Sequence, residues 1–300
     1  MIGKYFKRLL LIQIFLTNCF AQTDAFCRKF STTHSKSQIL SSLIYNNQDE
    51  KKENLLRYVN FGGFPQSVVS KMDGWGVCWW HSRFTRAVAY LVKFSPEKKK
   101  PNYSGVRNII QSIAKMNRVV EIPGYANLYE FSTDHYQQIQ SELNDWQKRD
   151  TFNALGRTLN PLRPSFNSYD KNLWKTFNRL NYLINVEKIL PFVVEQIEGI
   201  TAHSYLVIKA EVRGYTVWER EIVLTLIDSN WPHIKKAILD PLTGDRLAFI
   251  SEATGQITAT GNAIYIDFNR DLYQIERTLK EYCPQIALKI TPVLNKKYEY

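Results

Sequence analysis

Three residues in this chain have the types, order and settings of a nucleophile, a base and an orienting group. Cys78 lies in Gly74-Trp75-Gly76-Val77-Cys78-Trp79-Trp80, His203 in Ala202-His203-Ser204-Tyr205-Leu206-Val207, and Asp228 in Ile227-Asp228-Ser229-Asn230-Trp231-Pro232. A thiol must be a thiolate to attack a carbonyl. The start of a helix favours that form, because unpaired backbone N–H groups and the helix dipole stabilise negative charge there. Gly74 and Gly76 permit a close backbone approach just before Cys78. The Cys78 N–H would then point toward an oxyanion formed on the attacked carbonyl. A structural cysteine packed under aromatic neighbours is the competing reading. His203 would take the thiol proton and hold the thiolate as an ion pair, with Asp228 orienting the imidazole and Asn230 as the alternative orienter.

The elements around these residues follow from hydrophobic period. Cys78 to Phe94 carries Trp80, Phe84, Ala87, Val88 and Leu91 at helical spacing and predicts one helix ending before Ser95-Pro96. Further helices are expected after a Ser104 cap, after a Ser132 cap, over Leu173–Lys188, over Gln38–Tyr45, and from Asn269-Arg270-Asp271 to Tyr282. Leu155 to Phe166 reads as an irregular link and Phe61–Pro65 as a turn. Beyond residue 190 the period becomes two. Phe192-Val193-Val194, Ser204–Val212, Ile222–Leu226 and Ala263–Phe268 are expected strands, with a turn at Asp240–Asp245. On Ser204–Val212, Leu206, Ile208, Ala210 and Val212 share one face, and Tyr205, Val207, Lys209 and Glu211 the other. A hairpin turning at Tyr215-Thr216 beside Gly214 sets His203 directly opposite Asp228. In that register the apolar faces of the two strands do not match; a bulge, or burial of both faces, reconciles them. Helices first and antiparallel strands afterwards make the expected fold class α+β.

The set Gly-x-Gly-x-Cys-Trp opening a helix, Ala-His-Ser-Tyr-Leu-Val and Asp-Ser-Asn-Trp-Pro resembles the papain-like cysteine peptidase superfamily in its bacterial, Cys-His-Asp form. Pro191-Phe192-Val193-Val194 looks like that family's first barrel strand. The resemblance implies a papain-like domain over 61–300, with a helical lobe over about 61–189 and an antiparallel β lobe over about 190–300. It also implies the thioester chemistry of a peptidase acting on a protein or peptide, without a cofactor. Papain carries a disulfide cysteine three residues before the nucleophile, where this chain has Trp75. Its oxyanion glutamine lies close before the nucleophile; Gln66 is the nearest counterpart here, and an ordinary loop glutamine is the competing reading. The same order of residues also suits a transglutaminase-like acyltransferase, an amidase acting on envelope peptides, or a papain-fold binding protein without turnover.

The ends and composition set the context. Lys4, Lys7 and Arg8, then an apolar run from Leu9 to Phe15, then Cys19-Phe20-Ala21, read as a signal peptide over 1–21 and predict a secreted or periplasmic protein. Leu16-Thr17-Asn18-Cys19 outlines a lipoprotein alternative, with Asn18 where a small residue is expected. No other run is long enough to span a bilayer, so no stable membrane span is expected. Residues 22–60 read as a lead-in, its first part loose and polar. Three cysteines survive signal removal, an odd number, and the pairing of Cys27 with Cys283 near the two chain ends would leave Cys78 free. The alternative is three buried free thiols.

The 39 basic and 28 acidic residues give a net charge of +11, of which the signal carries three. This excess favours encounter with anionic surfaces such as an envelope polymer, or serves solubility alone. The charges are scattered apart from Lys98-Lys99-Lys100, and a nucleic-acid partner is not expected. His81, one turn after Cys78, reads as a surface residue with tuning of the thiolate as the alternative. His34, His135 and His233 have no metal-ligand spacing, so no metal site is expected. Trp79, Trp80, Trp231 and Tyr205 flank the three candidate residues, as cleft wall or as core.

Overall fold

A computed structural model describes residues 25–28, 30, 78–158, 192–198, 201–213, 221–228, 234–239, 247–250, 257–261, 263–267 and 270–285. The signal segment, the expected helices at Gln38–Tyr45 and Leu173–Lys188, and the turns at Phe61–Pro65 and Asp240–Asp245 lie outside them. The helices are α1 (Ala25–Arg28), α2 (Cys78–Leu91), α3 (Tyr103–Lys115), α4 (Leu128–Thr158) and α5 (Arg270–Tyr282). The strands are β1 (Val92–Ser95), β2 (Val120–Pro123), β3 (Phe192–Glu198), β4 (Thr201–Arg213), β5 (Glu221–Asp228), β6 (Ile234–Leu239), β7 (Leu247–Ile250), β8 (Ile257–Gly261) and β9 (Ala263–Asp267).

The helix that begins at Cys78 stops at Leu91, earlier than its apolar pattern suggests. Val92–Ser95 is extended and pairs in parallel with Val120–Pro123, Val92 opposite Val120 and Phe94 opposite Ile122. A β-branched residue followed by alternation suits a strand as well as a helix, and the partner decides. Between these strands α3 is capped by Asn102, not Ser104: the Gly105 N–H donates to Asn102 Oδ1 at 2.8 Å, and the Ser104 hydroxyl donates to the same oxygen at 3.1 Å. The helix buries Val106, Ile110 and Ile113 on one stripe and ends at Met116, in the left-handed region at φ 54°.

The cap of α4 likewise falls before Ser132. The Glu130 N–H donates to Asn127 Oδ1 at 2.9 Å, while the Glu130 carboxylate accepts the Ala126 N–H at 3.0 Å. The helix continues to Thr158, so the first residues of the expected link are helical. It bends at His135, where φ −127° and ψ 23° leave helical geometry.

The larger sheet has seven strands in the order β8-β7-β6-β5-β4-β3-β9. The two outermost strands are consecutive in the chain, separated only by residue 262. In a flat sheet, six steps of about 4.8 Å would put them roughly 29 Å apart. A two-residue step reaches at most about 7 Å. The sheet is therefore rolled, with Ile257–Asp267 serving both of its edges, and a closed roll leaves fewer unpaired strand edges. Three of its strands, at Ile234, Leu247 and Ile257, were not expected from the sequence.

Within the expected lead-in, the described helix α1 (Ala25–Arg28) and Phe30 pack into the core. Phe26, Cys27 and Phe30 are buried. Phe26 packs edge-on against Phe30 at 5.4 Å and Tyr282 at 5.6 Å, and Phe30 stacks on Tyr90 at 6.5 Å. Cys27 and Cys283 form a disulfide with a Cα–Cα separation of 5.7 Å, closing a loop with a sequence separation of 256. A loop of that length restricts the unfolded chain strongly. Cys27→Ser is expected to lower unfolding stability by up to about 5 kcal/mol on the chain-entropy estimate. Urea denaturation of the wild type with and without reductant, beside the variant, checks this; coincident midpoints would show that the crosslink contributes nothing.

Candidate functional site

The site is built where α2 lies against the rolled sheet. Cys78 is the first residue of α2, and the helix packs on β4 and, less extensively, on β3. Trp80, Phe84, Ala87, Val88 and Leu91 are buried, as are Tyr205, Leu206 and Val207 of β4. Trp79, Trp80 and Tyr205 are thus core residues, while Trp231 lies outside the described residues. The first turn of α2 contains no acidic residue, so no carboxylate within it opposes an anion at the helix start.

The hairpin of β4 and β5 differs from the expected register. Asp228 is opposite Tyr205, and His203 is opposite Gln196 of β3. At the other end Arg213 pairs with Glu221, a register three residues away from the one a turn centred on Tyr215-Thr216 requires; residues 214–220 lie outside the described residues. A bulge between Val207 and Lys209 then shifts the pairing by one. Its physical effect is to reverse which residues of β4 share a face. Beyond the bulge Ala210 and Val212 stand opposite Leu224 and Ile222; before it Val207 stands opposite Leu226 and Tyr205 opposite Asp228. Tyr205 and Val207 therefore belong with Ala210 and Val212, contrary to strict alternation. With a period of two, His203 and Asp228 occupy the same face of adjacent strands, diagonal to each other and two residues out of direct opposition. Gln196 is a polar neighbour on that face that the sequence reading passed over, because the expected strand stopped at Val194. Gln66 and Asn230 lie outside the described residues.

His81 is buried, at 3% exposure, rather than on the surface. Its Nε2 lies 3.2 Å from Gln140 Oε1 on α4, and Gln140 Nε2 donates to Asn144 Oδ1 at 3.2 Å. The residue one turn into the helix is thus held by a neighbouring helix. Among the described residues no group of three histidine, cysteine or acidic side chains is placed to hold a metal. No helix among them is long and apolar enough to cross a membrane.

Among the described residues, a buried ionic cluster in the middle of α2 was not anticipated. Arg83 donates from Nε to Asp271 Oδ2 at 2.6 Å and from Nη2 to Oδ1 at 2.8 Å, while Arg86 donates from Nη2 to Oδ2 at 2.6 Å. The Arg83 guanidinium lies 3.9 Å over the Trp80 ring. Asp271 and Arg86 are buried. Burial alone would raise the Asp271 carboxyl; Arg86 and Arg83 more than reverse this and hold it at about 2. No periodicity marks such a cluster, since its partners are 188 and 185 residues apart.

No family model, curated protein or solved structure matches this chain.

The Asp271 carboxyl binds its proton less readily in the folded chain than in the unfolded one. Its contribution is present above the ordinary aspartate value of about 3.9 and is lost as pH falls toward about 2. Asp271→Asn is expected to cost about 3–5 kcal/mol at neutral pH, because two guanidiniums lose their anion. The same substitution should flatten the decline of stability between pH 4 and pH 2. Urea midpoints across that range test both, and an unchanged profile would show that Asp271 is not the group responsible.

Proposed function

We propose that this chain is an exported thiol hydrolase with a papain-like fold, cleaving amide bonds in protein or peptide substrates through Cys78, His203 and Asp228. The reading is carried by one juxtaposition. The helix that starts at Cys78 packs on β4, the strand that carries His203, and Asp228 lies on the paired strand at a diagonal position of the same face. The buried disulfide supports an oxidising compartment. The positive charge supports an anionic surface or envelope as the setting.

In the proposed reaction the Cys78 thiolate attacks the amide carbonyl carbon. The Cys78 backbone N–H, with Gln66 as a candidate second donor, stabilises the oxyanion. The C–N bond breaks as the His203 imidazolium protonates the leaving amine, leaving a thioester. His203 then takes a proton from water, whose oxygen attacks the thioester. The C–S bond breaks, releasing the acid and restoring the thiolate. Asp228 orients the imidazole, with Asn230 as the alternative. The three groups complete the cycle without a cofactor.

The rate of iodoacetamide labelling of Cys78 in the folded mature protein, followed by mass spectrometry against pH, tests the pair directly. Labelling is expected to stay fast well below the ordinary thiol value of about 8.5, and to fall by roughly one to two orders of magnitude at pH 6 in His203→Ala. A profile like that of a free thiol, or one indifferent to His203, would remove the catalytic reading.

A further inference from the structure

We propose that the Tyr125 hydroxyl is a proton-driven rotor that holds the bend of α4 in both protonation states of His135, donating to the imidazole when it is neutral and to the Asp134 carboxylate when it is charged. This device is independent of the thiol chemistry.

The hydrogen-bond accounting leaves little freedom. His135 is the one non-helical residue within α4, and both of its ring nitrogens are engaged. Nδ1 lies 3.0 Å from Gln138 Oε1, and Nε2 lies 2.7 Å from the Tyr125 hydroxyl. Gln138 is oriented from its other end, where its Nε2 donates to the Tyr103 carbonyl at 3.2 Å. Its Oε1 is therefore the atom facing the ring, and it can only accept. Nδ1 thus carries a proton in either state, and Nε2 is where His135 titrates. The Tyr125 hydroxyl has one proton and two acceptors within reach, His135 Nε2 and Asp134 Oδ2 at 3.0 Å. When Nε2 is bare it accepts that proton. When Nε2 is protonated it donates to the tyrosine oxygen, and the hydroxyl proton turns to Asp134. No bond is lost, and the chain from imidazolium through hydroxyl to carboxylate becomes charge-assisted.

The charged surroundings are consistent with one titrating centre. Lys100, from the loop before α3, donates to Asp134 Oδ2 at 2.8 Å and lies 4.4 Å over the Tyr125 ring. The Lys100 bond holds the Asp134 carboxyl below its usual range, while burial pushes the Tyr125 hydroxyl up, so one stays an anion and the other stays protonated near neutrality. Burial lowers His135, with Gln138 and Asp134 opposing that and Lys100 adding to it. Glu130 is committed to the Ala126 N–H, and α3 presents the Tyr103 carbonyl. The rotor's axis is fixed because Tyr125 is buried and follows Gly124. Gly124 has φ +78°, donates to the Ser95 carbonyl at 2.7 Å, and has Lys100 backbone atoms 2.8 Å from where a Cβ would sit.

The device preserves the direction of α4 across the histidine titration, and with it the contact of Gln140, five residues on, with His81 of α2. Nitrogen-detected NMR of histidine-labelled mature protein, with His135→Gln to assign the signals, tests it. Above its midpoint, His135 is expected to be the Nδ1–H tautomer. In Tyr125→Phe its midpoint is expected at lower pH, because the imidazolium loses its acceptor. A tyrosine that always donates to the imidazole gives the opposite shift, so a higher or unchanged midpoint overturns the proposal. An Nε2–H tautomer in the wild type overturns it without reference to any variant.

Discussion

The position of α2 depends on a carboxylate from the far end of the chain. Asp271, the second residue of α5, receives the two-pronged Arg83 fork and a third bond from Arg86, all in the interior. A carboxylate in the first turn of a helix is also favoured by the helix dipole. The other end of α5 leads to Cys283, which is tied to Cys27. The Thr278 hydroxyl, between these points, donates to the Met116 carbonyl at the end of α3 at 2.8 Å. Helix α5 therefore reaches α2, α3 and α1 at successive points along its length. Hydrophobic contact could hold the same helices together, but it would leave α2 free to turn or slide by a fraction of a residue. A planar guanidinium fork on a carboxylate does not tolerate that, because both parallel bonds must be made at once.

The rolled sheet imposes the second constraint. Its two edges belong to one stretch of chain, so the curvature of the strands between them is set by closure. The bulge beside Ile208 lies in the strand on which α2 rests. It bends β4 and changes the parity of everything before it, which decides the face on which position 203 falls. One extra residue in one strand thus controls whether His203 and Asp228 share a face at all.

The legible parts of the chain are those with a local cause. The helical stripe of α3 and the period of two at Ile222, Leu224 and Leu226 are readable because neighbours in sequence share one environment. Strand β6 escapes because Lys235 and Lys236 interrupt its apolar run, and β8 because Thr258, Ala259, Thr260 and Gly261 lack bulk. Asn102 and Asn127 cap helices that Ser104 and Ser132 were expected to cap, since several capping residues cluster at each start and only the backbone path chooses between them. Position 92 turned from helix to strand because of a partner 28 residues away. Within the candidate site, the order of Cys78, His203 and Asp228 is a property of the sequence. The offset between the last two is not, because it depends on where a bulge falls and on the register of β4 against β5. The Asp271 cluster is the least legible, as nothing near Arg83 or Arg86 marks them for burial.

Pairing with Asp271 also explains how a helix that carries Arg83 and Arg86 can lie in the interior. Charges this deep cost several kcal/mol each to desolvate, and an apolar set of similar shape would be no less stable. What the ionic set adds is a directional reference in the middle of α2, about one and a half to two turns beyond its start. Trp80 and Trp146, whose rings lie 5.1 Å apart, pack beside it, and Trp80 also carries the Arg83 guanidinium on its face. His81 is meanwhile held from α4. The first two turns of α2 are thereby fixed from two sides, by α5 through Asp271 and by α4 through Gln140. The C-terminal end is fixed by direct continuation into β1. A helix secured in this way can present its first N–H groups at a constant place and angle. That constancy is what the thiolate proposed at residue 78 would require, since an anion there is stabilised only within about the first turn.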